Sequence, residues 1–178
     1  EEEQQINTIK QIIQNCIVEP EDYNVDDLAS FDIEYLFMKL RAKSVGEIVD
    51  LKIVPQQREG LPPMEVQLNL EELEPTFPED HTDTIEIGDG LKEKMRYPTF
   101  GTIRKLNKLS ETDMLFSVFA KSLEKVYDGE EVYDMKENTE EEIQEFLEQL
   151  QSRDLEKFKH FFDTMPRIEQ KYHYTWTN

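Results

Sequence analysis

Apolar residues return every three or four positions at the start of the chain. Ile6, Ile9, Ile12 and Ile13 hold helical spacing and predict a first helix ending near Cys16, stopped by Pro20. Asn24 is a candidate cap in the turn that follows. The segment FDIEYLFMKLRAKSVGE, Phe31 to Glu47, predicts a second helix with Asp32 as N-cap and Gly46 as stop. Ile33, Leu36, Phe37 and Leu40 form one stripe, expected to face the core. Phe31, Tyr35, Met38 and Ala42 form another beside it. Lys39, Arg41 and Lys43 complement the negative end of the helix dipole.

The period then falls to two. Val49, Leu51 and Ile53 share a face, and Met64, Val66, Leu68 and Leu70 alternate with Glu65, Gln67 and Asn69, as half-buried strands do. The linker PQQREGLPP reads as a loop. TIEIGDG followed by LKEKMRYP predicts a hairpin turning at Gly-Asp-Gly. Leu91, Glu93, Met95 and Tyr97 lie on one side of it, and Lys92, Lys94 and Arg96 on the other, within reach of Glu65, Glu86 or Asp83.

Helical spacing resumes after Pro98. Ser110 and Asp113 suit a helix start, Leu115, Val118, Phe119, Leu123 and Val126 make its apolar face, and Gly129 ends it. DGEEVYDMKEN reads as an acidic linker. Thr139 and Glu142 form a capping box ahead of Ile143, Phe146, Leu147 and Leu150. A last helix carries Leu155, Phe158, Phe161, Phe162 and Met165 and closes at Pro166, and KYHYTW alternates like a strand. Helices, then strands, then helices predict an α+β fold with a small antiparallel sheet of three to four strands. The expected parts are N-terminal helices over 1–46, strands over 47–97 and a C-terminal helical region over 98–178.

Charge narrows the function. The chain of 178 residues carries 40 Asp and Glu against 20 Lys and Arg, a net charge of −20. That field repels nucleic-acid phosphates and anionic membranes and favours basic protein partners. No apolar run is long enough to span a bilayer. Neither end reads as a natural terminus: the chain opens on EEE without Met, closes on YHYTWTN, and is expected to continue at both ends. Cys16 is the only cysteine, which excludes an internal disulfide and a thiolate zinc site. Flanked by apolar residues, it reads as a buried, inert thiol.

Catalytic constellations are missing. His81, His160 and His173 are scattered, and His160 with Asp163 reads as a polar pair on a helix face. Gly-x-Ser-x-Gly is absent, and GDG is a turn, not a phosphate loop. The expectation is a non-enzyme with no cofactor, metal or small-molecule ligand. Tyr, Phe, Met and Arg are enriched at interface centres. The candidate partner-interface residues are therefore Phe31, Tyr35, Met38, Lys39, Arg41 and Lys43 on the second helix, with Phe158, Phe161 and Phe162 on the last. An acidic inhibitor that mimics DNA and binds a nucleic-acid enzyme is the alternative reading.

FDIEYLFMKLRAKSVGE, with IVDLKIV, MRYPTF and LEKFKHFFDTMPRIEQKYHYTW, resembles T-even-type phage baseplate proteins, the family of hub subunits and hub assembly factors of contractile tails. The resemblance runs from about Asp26 onward. It implies a structural or chaperone-like role, with other baseplate hub and tail proteins as partners. It also implies a location in the host cytoplasm during assembly or in the tail baseplate of the virion.

Overall fold

The computed structural model describes residues 2–19, 23–54, 63–88, 90–106 and 111–172. The fold is α+β, and the chain divides into two compact units. The first comprises 1–23, 31–76 and 167–178; the second comprises 24–30 and 77–166.

In the first unit, α1 (Glu2–Cys16) is the expected isoleucine helix. It buries Ile13 at 1% exposure and leaves Ile12 at 40%. Cys16 is exposed, not buried as expected, because the helix ends there and its apolar stripe lies on other residues. Pro20 lies outside the described residues. α2 (Ser30–Val45) begins two residues before the expected cap, which places Asp32 in its first turn. Gly46 follows with φ +129°, a conformation L side chains rarely adopt, so a glycine marks the stop.

β1 (Ile48–Ile53) and β2 (Met64–Asn69) pair antiparallel, Leu51 opposite Val66, in a two-stranded sheet. Burial alternates along both, as the two-residue period requires. Ala42, Leu70 and Leu73 form a buried cluster, against which Met38, Val49, Leu68 and Ile168 pack. Thr76 and Arg167 exchange backbone hydrogen bonds of 2.9 and 3.4 Å, tying the returning chain into this unit. Lys171 and Tyr172 are not in a strand, and the rest of the expected terminal strand lies outside the described residues.

In the second unit, Asn24 accepts a hydrogen bond from the N–H of Asp26 and caps a 3-10 turn, Val25–Asp27. A four-stranded sheet follows in the order β3-β4-β5-β6, all antiparallel. The hairpin of β3 (Thr84–Ile87) and β4 (Leu91–Met95) is the one expected around Gly-Asp-Gly, although Asp89 lies outside the described residues. Lys92 stands opposite Glu86, one of the cross-strand partners anticipated for the basic face. α3 (Phe100–Leu106) and α4 (Glu111–Ser122) come next, and Ser110 of the expected helix start lies outside the described residues.

Two expectations fail here. The expected helix through Val126 stops at Ser122, and the expected acidic linker is half of a hairpin. β5 (Leu123–Asp128) and β6 (Glu131–Asp134) pair antiparallel. They extend the β3–β4 sheet, and since β1 and β2 pair in a sheet of their own, two sheets stand where a single one was expected. α5 (Glu140–Glu148) carries the full capping box, with Thr139 N–H donating to Glu142 at 2.8 Å and Glu142 N–H to Thr139 Oγ1 at 3.2 Å. α6 (Ser152–Asp163) closes the unit. Its core joins Ile85, Ile87, Met95 and Leu123 of the sheet to Phe119, Leu147, Phe158 and Phe161 of the helices.

Candidate docking surfaces

On α2 the two stripes exchange roles. Ile33 is buried, but Leu36, Phe37 and Leu40 are only half-buried. Ala42, from the other stripe, enters the core cluster, and Met38 packs against it. Phe31 is also buried, at 8% exposure. Phe37 instead lines an open groove of about 690 Å³ with Ile9 and Ile12 of α1. Every residue from Tyr35 to Arg41 is half-buried, so the helix has no clean wet face.

The basic end of α2 is tied down within its own unit. Lys39 Nζ donates to the Glu71 carbonyl at 2.6 Å and to the Glu74 carboxylate at 2.9 Å, and sits 5.0 Å over the Tyr35 ring. Lys43 pairs with the Glu71 carboxylate. The hydrogen bond from Lys39 holds Glu74 below the usual carboxylate range, and the bond from Lys43 does the same for Glu71. A hydrogen bond with Glu74 raises the Tyr35 hydroxyl. Arg41 reaches the Gly46 carbonyl at 3.5 Å. Helix-dipole complementarity is thus joined by specific acceptors in the turn after β2.

The candidate aromatic residues of α6 divide. Phe158 and Phe161 are 0% and 2% exposed, and close the core. Phe162 is half-buried and stacks on Phe119 at 5.0 Å. It lines an apolar groove of about 520 Å³ with Phe116 and Leu155, rimmed by Glu156, Lys159 and Asp163. Aromatic stacking fixes the shape of this groove before anything enters it. Sequence reasoning did not single out Phe116, and it placed Leu155 on the core-facing stripe of the last helix, since helical spacing alone does not show which apolar residues line a groove.

Polar chemistry in this unit lies inside. Glu93 is 0% exposed, and neither of its carboxylate oxygens has a hydrogen-bond partner among the described residues. Burial, reinforced by Asp154, pushes its carboxyl up to about 8. His81, Tyr97 and Phe161 form a triangle of packed rings, with the His81 centroid 5.5 Å from Tyr97 and 5.1 Å from Phe161. Thr164 Oγ1 donates to the His160 carbonyl at 2.7 Å, so it accepts from His81 Nδ1 at 2.9 Å, and His81 Nε2 accepts from the Tyr97 hydroxyl at 2.9 Å. Burial lowers the His81 pKa, which suits this neutral tautomer.

The expected His160–Asp163 pair is replaced by His160 Nε2 at 3.4 Å from Asp80 Oδ2. Among the described residues no three His, Cys, Asp or Glu side chains gather as metal ligands, and no helix is long and apolar enough to cross a membrane.

No curated protein and no solved structure matches the chain. Residues 1–177 do match the family described as T4 bacteriophage base plate protein, and the chain therefore belongs to that phage baseplate family.

Proposed function

We propose that this baseplate protein is a non-enzymatic structural or assembly component of the baseplate hub, acting by docking to other tail proteins. The observation that carries the reading is the groove between α4 and α6, where Phe162, Phe116 and Leu155 offer apolar surface beside a charged rim. Preformed apolar grooves flanked by charges are how proteins receive a partner's anchor residues. On α2, Tyr35 and Met38 with Lys39, Arg41 and Lys43 form a second contact region. Phe31, Phe158 and Phe161 support these surfaces from behind by fixing the helices. The net charge of −20 speeds encounter with basic partner patches and opposes self-association. The host cytoplasm during assembly is the setting proposed for this docking.

Co-purification with the other baseplate proteins of the same phage tests the proposal. Phe162→Ser and Tyr35→Asp, each checked for an unchanged melting temperature, are expected to weaken capture of hub proteins. Undiminished capture by both folded variants would sink the docking assignment. Capture of a nuclease or polymerase in place of tail proteins would support the acidic-mimic reading instead.

A further inference from the structure

We propose that the edge of β6 receives an extended, basic segment of a partner protein as a fifth strand of the second unit's sheet. β6 is the terminal strand of that sheet. Glu131, Val132 and Tyr133 are all exposed, so the edge is open among the described residues. The hairpin register leaves it ready to pair. Asp128 stands opposite Glu131 across the two-residue turn Gly129–Glu130. Gly129 has φ +61°, and among the described residues, Glu130 included, no non-glycine residue has positive φ, as a type II′ turn with glycine first demands. The closing pair of such a turn is hydrogen-bonded, and pairs alternate thereafter. Val132 therefore turns its N–H and C=O, and Asp134 its N–H, away from β5, while the Asp134 carbonyl opens the 3-10 turn Met135–Glu137.

Side chains supply the specificity. Tyr133 stands opposite the buried Val126, on the core-facing side of β6. There it walls an open groove of about 330 Å³ with Leu91, Ile143 and Phe146 inside and Asp128 and Glu142 as its charged members. Among the described residues no lysine or arginine lines it. Glu142 stays ionised, because the Thr139 N–H and hydroxyl hold its carboxyl below the usual range. Apolar residues of an added strand would enter the groove, and lysines or arginines would meet Asp128, Glu131 and Glu142. Acidic residues on a short edge strand discourage pairing with another copy of so acidic a chain, yet suit a basic one. This is strand addition, in which the backbone gives affinity and alternate side chains give specificity. It does not rest on the α4–α6 groove.

The probe is a synthetic peptide alternating lysine with valine, titrated into the full isotope-labelled chain and followed by amide shifts. Binding with the largest shifts at Val132 and Asp134, weakened by salt and absent for the glutamate–valine counterpart, is the expected result. Val132→Pro removes one outward N–H without touching the β5 ladder and is expected to weaken binding by about tenfold or more. Should that variant fold poorly, the same loss is expected on the native chain from a peptide N-methylated along one edge. Equal binding of the glutamate peptide, shifts confined to other elements, insensitivity to N-methylation, or no binding at millimolar peptide would each overturn the proposal. So would a dimer of this chain closed through β6.

Discussion

Glu93 of β4 and Asp154 of α6 are two carboxyl groups enclosed in one core, at 0% and 2% exposure, and the charge of Asp154 adds to the burial that keeps Glu93 protonated. Their situations differ. Asp154 receives the Gly88 N–H and the Lys157 ammonium, each at 3.4 Å, whereas Glu93 has no partner among the described residues.

Stability should therefore fall with rising pH across an unusual window. The folded pKa of Glu93 is raised from 4.5 to about 8, so the folded state holds a proton that the unfolded state has released. Between those values unfolding loses a proton, and stability declines as pH rises, levelling off above about 8. The total is on the order of a few kcal/mol. Glu93→Gln should abolish this slope and melt higher than the native chain at pH 9. A parallel slope in both proteins would refute the assignment.

His81 supplies the opposite slope. Its pKa is lowered from 6.5, so unfolding takes up a proton just below that value, and this group's stabilisation is lost as pH falls through the window. Tyr97→Phe removes the hydroxyl donor to Nε2 and should cost about 1 kcal/mol. Imidazole titration by NMR should place His81 below an unfolded reference. A higher value would contradict the tautomer.

Gly101 should tolerate no side chain. A Cβ there would stand 2.9 Å from Asp26 Cβ and 3.1 Å from the Asp26 carbonyl oxygen. Gly101→Ala is expected to cost about 1–3 kcal/mol by denaturant titration, since main chain must shift to admit it. A neutral substitution would mean that the segment 24–30 is loosely held.

Thr139→Ala should lower stability by about 1 kcal/mol through loss of the α5 cap, and Thr139→Ser should restore most of it. Comparable melting of the alanine and native forms would show that packing of Ile143 and Leu147 alone maintains this helix.

Much of this was legible from periodicity, and the exceptions have identifiable causes. Alternation along LKEKM puts Glu93 on the same side as Leu91 and Met95, where the structure buries it; only its charge argued otherwise. The β5 strand was hidden by a register shift. Leu123 pairs with Met95 while Lys125 pairs with Lys94, so an extra residue, Glu124, enters between them. That irregularity turns both Leu123 and Val126 inward. Three residues apart, they mimic the spacing of a helix. On α2 both stripes are apolar, and pattern alone had no means of choosing between Phe37 and Ala42 for the inside. The docking surfaces were legible only as residue types. Phe162 and Phe158 have the same chemistry in the sequence, and the packing of α6 leaves just one of them within reach of solvent.

The path of the chain between the two units imposes an order of events. Residues 24–30 belong to the second unit, residues 31–76 return to the first, and Arg167 meets Thr76 only after the whole second unit has been made. On the ribosome, β1 and β2 can pair early, but the first unit waits for its last segment. The second can finish beforehand, provided that 24–30 has remained available. A protease cut anywhere between 77 and 166 would leave residues 167–178 of the first unit with no covalent tether to its other two segments. The boundary between the units is thus crossed by the chain four times, and neither can be expressed as one uninterrupted stretch.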